Sequence, residues 1–243
     1  DAVAGKVVSR IGEIGVNVVT AQGGSAINVS DNGNAVVTGT ANILNATGTA
    51  VIDSTGGQTF VNADIANVIS ATGDTNLINN NGGSVAINSD ITNVLTTENG
   101  DVVFAENGNT TVTAFNNNLY AQNAHAIHAV GGDVTVKGKV LSEDVQAKLA
   151  AKIAEDANVK AVFGEDVAVV SGLIKKVESV GFNTITAGKE AIVVNSADST
   201  VKVVGSVNTV ISTGSEAIKN EIGEYPILLL DDVFAALDKR RIE

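Results

Sequence analysis

The sequence predicts an all-β protein, a right-handed parallel β-helix (β-solenoid) of about seven coils with about 25 residues per coil. Three observations lead to this fold class. An Asn followed by aliphatic residues recurs at a nearly constant interval, each interval contains three short apolar segments, and Gly, Asn, Asp and Ser separate the segments. A sandwich or barrel with similar strand spacing has no physical reason to keep such a register.

The recurrent Asn defines the coils. It occurs at Asn17, Asn42, Asn67, Asn93, Asn118, Asn183 and Asn208. The successive intervals are 25, 25, 26, 25, 65 and 25 residues, so the longest interval contains an insertion of about 40 residues. Residues 1–16 precede the first Asn, and we expect them to form an N-terminal cap or a partial first coil. An uncovered solenoid end exposes unpaired backbone N–H and C=O groups, on which another chain can add a strand.

Two apolar columns are expected to point into the core. The column two residues after the Asn contains Val19, Leu44, Ile69, Leu95, Tyr120, Ile185 and Val210, and the column ten residues after it contains Ile27, Ile52, Leu77, Val103, His128, Val193 and Ile218. A single coil cannot bury these side chains, but stacking places each one on its counterpart ~4.8 Å away. For the Asn residues, two interpretations stay open: turn formation alone, or turns together with a ladder of hydrogen-bonded amides.

The insertion at residues 141–181 predicts a pair of helices. Ser142 is a typical N-cap, and Val145, Leu149 and Ile153 follow at four-residue spacing. Such an insertion either provides a binding or assembly face or covers a flank of the stack. The predicted organisation is therefore an N-terminal cap (1–16), solenoid coils (17–140), the insertion (141–181), final coils (182–230) and a C-terminal cap (231–243).

Composition limits the functional classes. The chain of 243 residues has 15 Lys and Arg against 27 Asp and Glu, a net charge of −12, which disfavours binding to nucleic acids and to anionic membranes. No apolar run approaches the ~18 residues of a membrane-spanning helix. Aromatic residues are only 3% of the chain, and Cys, Met and Trp are absent, so the core must be aliphatic and without disulfides. A chain without Met that begins at Asp1 predicts a processed or excised product, for example after signal-peptide removal.

The sequence predicts no catalytic, cofactor-binding or metal-ligating set, and we therefore expect a protein that is not an enzyme. His125 and His128 are the only histidines; residues three apart on a strand point to opposite faces, so joint metal ligation would need a bend. We expect His128 to be a buried, hydrogen-bonded histidine or the site of a local distortion, and a wider core layer in this coil would hold it together with Tyr120. Acids occur in the turns, at Asp53, Asp64, Asp74, Asp90, Glu98, Asp101 and Glu106, without an evident vertical cluster. Incidental calcium on these turns stays open.

The repeat pattern resembles bacterial right-handed parallel β-helix proteins of the cell surface, including adhesins. This resemblance implies a secreted or cell-surface protein. The main functional expectation is an extracellular structural or adhesive solenoid that assembles with itself into a fibre or surface layer. The alternative is a protein that binds or degrades polysaccharides; degrading β-helix enzymes use clustered Asp or an Arg or Lys base, and Arg occurs here only at positions 10, 240 and 241.

A second resemblance concerns the C-terminal segment. It reads Ile218-Lys-Asn-Glu-Ile-Gly-Glu-Tyr-Pro-Ile-Leu-Leu-Leu-Asp-Asp-Val-Phe-Ala-Ala-Leu-Asp-Lys-Arg-Arg241 and resembles the Walker B and D-loop segment of the RecF DNA-repair ATPase. The resemblance implies that Asp231 and Asp232 are the paired acids that serve Mg²⁺ and water activation at ATP, and that Asp238 is the acid of the D-loop. No phosphate loop ending in Gly-Lys-Ser/Thr occurs, so ATPase activity is not expected. Structurally, Ile227–Leu230 fits the third strand of the last coil and Asp232–Arg241 a short capping helix.

Overall fold

The chain folds as a parallel β-solenoid of about seven turns, which confirms the expected fold class. The structure, a computed structural model, describes residues 8–11, 15–140, 181–221, 228–230 and 233–235; of residues 8–11, 228–230 and 233–235 it describes the backbone alone. Every named strand pairing in these residues is parallel. Among the residues that the structure describes, no helix has the length and apolar composition required to cross a bilayer.

The strands are numbered in chain order. They are β1 Val8–Ile11, β2 Val16–Ala21, β3 Ile27–Ala46, β4 Ala50–Ala71, β5 Asn76–Asn81, β6 Ser84–Ser89, β7 Thr92–Thr97, β8 Val103–Glu106, β9 Asn109–Ala114, β10 Asn116–Ala121, β11 Ile127–Val130, β12 Asp133–Gly138, β13 Phe182–Ala187, β14 Ile192–Val194, β15 Thr200–Val204, β16 Val207–Ser212, β17 Ile218–Asn220, β18 Leu228–Leu230 and β19 Val233–Ala235.

Three walls run along the stack, and each coil contributes one segment to each wall. The ladder wall consists of β2, residues 41–46 and 66–71, β7, β10, β13, β16 and β19. The second wall consists of residues 27–31 and 50–54, β5, β8, β11, β14 and β17. The third wall consists of β1, residues 34–39 and 58–63, β6, β9, β12, β15 and β18.

The core is a set of stacked aliphatic side chains, as expected, but two of the predicted columns contain errors. In the ladder wall, Leu119 pairs with Leu95 and Ile185, whereas Tyr120 points outward and is 41% exposed. In the second wall, the column contains Ile78, Ile127 and Ile192 where Leu77, His128 and Val193 were expected. The expectation of a core layer shared by Tyr120 and His128 is therefore wrong.

In the fifth coil, one shifted Asn explains the errors at Tyr120 and His128. Asn117, not Asn118, pairs with Asn93 on one side and with Asn183 on the other. The interval from Asn93 to Asn117 is therefore 24 residues, and every later position of that coil moves by one. In a strand, a shift of one residue exchanges the inner and outer faces, so the shift places Leu119 inside and Tyr120 outside.

The Asn residues form a continuous amide ladder inside the ladder wall. From Asn17 to Asn208, the Nδ2 atom of each Asn donates to the Oδ1 atom of the next Asn along the stack at 2.6–2.9 Å. The same Nδ2 atoms also donate, at 2.8–3.1 Å, to carbonyl oxygens near the ends of the third-wall segments, those of Thr38, Asn62, Asn88, Thr113, Lys137 and Val204. The ladder interpretation is confirmed, and the second bond fixes the same amide orientation in every coil.

The two ends of the solenoid add strands to the stack. At the N-terminal end, β1 pairs with residues 34–37, as expected for a partial first coil. At the C-terminal end, β18 pairs with Val201–Val203 and thus supplies the expected third strand. The expected capping helix over 232–241 is wrong at Val233–Ala235, which form a strand paired with residues 208–210. The remaining tail residues, including Asp231, Asp232 and Asp238, lie outside the described residues.

The insertion begins and ends at one corner of the solenoid. The Lys139 amide donates to the Ala114 carbonyl and the Phe182 amide to the Phe115 carbonyl, both at 2.8 Å. The two acceptors, Ala114 and Phe115, are consecutive residues of one coil. The chain therefore leaves the third wall and rejoins the ladder wall at the same corner. The predicted helices, including Ser142, lie outside the described residues, which end at 140 and resume at 181.

Candidate functional site

Asp101, His125 and His128 lie together at the corner between the ladder wall and the second wall. Asp101 is in the turn before β8, and His125 has the same place in the turn before β11, one coil further on. His128 is an outward-pointing residue of β11. The turn thus supplies the bend that joint action of the two histidines requires, because His125 stands before the strand begins.

The carboxylate of Asp101 contacts both imidazole rings. Its Oδ1 atom lies 3.1 Å from His125 Nδ1, and its Oδ2 atom lies 3.0 Å from His128 Nδ1. The two rings meet edge to face, with centroids 5.3 Å apart. Their side chains are 20% exposed and that of Asp101 is 13% exposed, so solvent and small solutes can reach the cluster.

The hydrogen bonds around Asp101 determine its protonation. Burial raises the pKa of the Asp101 carboxyl, but the hydrogen bonds from His125 and His128 outweigh burial and hold this pKa well below its usual range. An ionised carboxylate only accepts hydrogen bonds, so both Nδ1 atoms carry a proton and donate it to Asp101. In the neutral rings, each Nε2 atom therefore carries a lone pair.

The two Nε2 atoms face different partners from the next coil. Asn195 Nδ2 lies 2.9 Å from His128 Nε2 and can donate to it. Glu190 Oε2 lies 3.6 Å from His125 Nε2 and offers a negative charge where the neutral ring has a lone pair. The pKa of Glu190 is lowered by a hydrogen bond from its own backbone, and this bond together with those from Ser215 outweighs the effect of burial. The Glu190 carboxylate is therefore suited to a partner that is positively charged or carries a proton.

The backbone fixes the site on the rigid stack. The Asp101 amide donates to Asn76 Oδ1 at 2.8 Å, and the His125 amide donates to Asp101 Oδ1 at 3.0 Å. The side chains of Asn76 and Asp101 thus each accept the backbone N–H of the following coil. Such an arrangement holds two imidazoles and one carboxylate at fixed separations, which suits metal ligation or proton exchange.

Other acids that the sequence places in turns pair with different neighbours. Asp53 accepts from Asn79 Nδ2 at 2.9 Å, and Glu98 accepts from the Gly73 amide at 2.8 Å. Asp90 forms an ion pair with Lys139. These three acids therefore have structural partners of their own within the coils.

The cluster was missed because of the coil register. A 25-residue interval places His125 beside Gly100, whereas the actual 24-residue interval places it beside Asp101. Had Asn117 been recognised as the ladder residue, the sequence would have indicated this contact.

Comparison with protein-family models, with curated proteins and with solved structures found no match for the chain.

Proposed function

We propose that the chain is a structural β-solenoid subunit of the bacterial cell surface or the extracellular space, and that copies associate side by side through the ladder wall. One observation carries this proposal: the ladder wall is uncharged. Its described segments from Val16–Ala21 to Val207–Ser212 contain no Asp, Glu, Lys, Arg or His, although the chain has a net charge of −12.

Charge explains why a second copy is the suitable occupant. Two strongly acidic molecules repel each other wherever their charged surfaces meet, and the repulsion is weakest where neither surface carries charge. The second wall carries charged residues such as Asp53 and Glu106, and the third wall carries Asp133 and Lys137. The ladder wall is the one that two copies can bring together without burying a charge.

Exposed apolar side chains support the same wall. Of the five large apolar side chains that are exposed in the described part of the chain, four belong to it: Val18 at 63%, Tyr120 at 41%, Val207 at 40% and Ile211 at 38%. These side chains lie in β2, β10 and β16 and share the outer face of this one wall, and exposed apolar side chains that share a face are typical of an interaction surface. The stacked strands also repeat at a spacing of ~4.8 Å, so the contacts of successive coils can add along the wall.

Sedimentation of matched variants tests the proposal. Val94 is an outward residue in the middle of the ladder wall, and Ala86 is an outward residue of the third wall in the same region of the stack. We expect the purified chain to form larger species as its concentration rises to hundreds of micromolar. The Val94→Glu variant should associate at least tenfold more weakly, because a charge at the contact must be desolvated, and Ala86→Glu should behave as the parent chain does.

The result that would overturn the proposal is a parent chain that stays strictly monomeric at high concentration and binds no surface. Equal association of the two variants would exclude the ladder wall as the contact. Circular dichroism and melting temperature must show that both variants keep the fold. A monomeric protein that binds on a glycan array would instead support the polysaccharide alternative, which stays a prediction. The resemblances to surface adhesins and to RecF rest on the sequence alone.

A further inference from the structure

We propose that Asp101, His125 and His128 form a binding site for a divalent transition-metal ion of the Zn²⁺ class, with Glu190 and Asn195 as supporting partners of the two imidazoles. This site lies in the corner beside the second wall and is separate from the association proposed for the ladder wall.

The ligand geometry fits such an ion. One ligand atom from each of the three residues lies within 4.8 Å of the other two. Around a tetrahedral Zn²⁺ with bonds of about 2.0–2.1 Å, neighbouring ligand atoms lie about 3.3 Å apart. The closest contacts run to different oxygens of the Asp101 carboxylate: Oδ1 lies 3.1 Å from His125 Nδ1 and Oδ2 lies 3.0 Å from His128 Nδ1, each a few tenths shorter than this value. Small side-chain movements therefore make room for the ion, and further coordination positions stay open to water.

The types of ligand select the ion. Two imidazoles and one carboxylate suit Zn²⁺ and neighbouring transition metals, whereas Ca²⁺ and Mg²⁺ prefer oxygen ligands. The negative charges of Asp101 and Glu190, on a chain of net charge −12, attract a cation to this corner.

The second contacts of the rings favour the metal-bound state. When an ion replaces the proton on Nδ1, a neutral ring carries its proton on Nε2. The Nε2–H of His125 would then donate to Glu190, whose Oε2 lies 3.6 Å away, and the unfavourable meeting of a lone pair with a carboxylate would be removed. A metal-bound histidine typically donates its other N–H to a carboxylate in this way.

Asn195 can serve His128 in both states. Its Nδ2 atom lies beside Nε2 of the metal-free ring, while its buried Oδ1 atom has no hydrogen-bond partner in the described residues. Rotation of the amide by 180° brings Oδ1 to the protonated Nε2 without breaking a bond to Oδ1. The unpartnered oxygen is thus the acceptor that the metal-bound ring needs.

The full chain offers a direct test, because its only two histidines are in the site and it has no Cys. Side-chain ¹H–¹⁵N spectra of the labelled protein report the protonation of both rings during a Zn²⁺ titration. We expect both histidines to shift together, to saturate at one Zn²⁺ per chain, and to show protonated Nε2 atoms. An equal concentration of Ca²⁺ should leave both rings unchanged.

Variants separate the ligands from nonspecific acid binding. His128→Gln and Asp101→Asn should weaken Zn²⁺ binding, measured by calorimetry, at least tenfold, and Glu190→Gln about tenfold. Asp53→Asn, on the same wall but with a different partner, should bind as the parent chain does. The proposal is overturned if stoichiometric Zn²⁺ leaves the histidine signals unmoved, or if a folded His128→Gln binds as tightly as the parent. If a variant fails to fold, the histidine signals of the parent chain during the Zn²⁺ titration show whether the site binds the ion.

Discussion

The ladder wall and the corner that holds Asp101 use the same coils in opposite ways. Along the ladder wall each coil repeats the same Asn, so every amide finds an identical partner and the polar groups are satisfied by repetition. In the corner, equivalent positions hold Asn76, Asp101, His125 and Glu190, so each polar group meets a different neighbour. Repetition provides stability and a uniform surface, whereas departure from repetition brings together groups of different chemistry.

The largest effect is expected when the repetition itself is broken. Asn93 is fully buried; it accepts from Asn67 and donates to Asn117 and to the Thr113 carbonyl. The Asn93→Ala variant breaks the two buried bonds of the ladder, because Asn117 Oδ1 loses its donor and Asn67 Nδ2 loses its Asn acceptor, at about 1–3 kcal/mol for each buried group. We expect a loss of about 2–6 kcal/mol in the free energy of unfolding, measured by urea denaturation.

The outward Thr96 of the same strand is the matched control. The Thr96→Ala variant should change the free energy of unfolding by no more than about 0.5 kcal/mol, because this half-buried side chain faces outward. A cost below about 1 kcal/mol for Asn93→Ala would show that the amide ladder is not what stabilises this wall.

The corner is expected to be sensitive to volume. A Cβ atom on Gly100 would lie 2.1 Å from the Thr75 carbonyl oxygen, a backbone atom of the preceding coil that cannot rotate away. We expect Gly100→Ala to cost about 1–3 kcal/mol in the free energy of unfolding, because the two coils must separate locally. Gly24→Ala, in the first turn, has nothing within 4 Å of the added Cβ and should be nearly neutral. Equal melting temperatures for the two variants would contradict the tight stacking of this corner.

The same comparison shows what could be predicted from the sequence. A period of about 25 residues with three apolar segments is enough for the solenoid and its amide ladder, since only stacked coils bury those segments. The register of the fifth coil was not predictable from the period, because Asn116, Asn117 and Asn118 offer three equivalent ladder residues. Packing chooses between them by burying Leu119 and exposing Tyr120. The contact of Asp101 with both histidines depends on that choice, and so the site was missed.

Acidification should weaken the corner before it affects the uncharged ladder wall. Because the pKa of Asp101 is lower in the folded chain than in the unfolded chain, its ionisation stabilises the fold at pH values above the unfolded pKa of about 3.8. This contribution is lost as the pH falls from about 4 through the folded pKa. In urea denaturation with a chelator present, the parent chain should lose more stability between pH 5 and pH 2.5 than Asp101→Asn does. Identical pH profiles would contradict a lowered pKa for Asp101.

The smallest effect is expected on the outer side of the ladder wall, where solvent competes with a polar contact between two coils. Ser70 Oγ donates to Asn45 Oδ1 of the preceding coil at 2.5 Å, and both side chains are only partly buried. A partly exposed hydrogen bond contributes at most about 0.5–1 kcal/mol, because water replaces the lost partner. We therefore expect Ser70→Ala to cost about 0.5 kcal/mol by urea denaturation, several times less than Asn93→Ala. If the two costs were equal, burial would not be the reason that the inner ladder is strong.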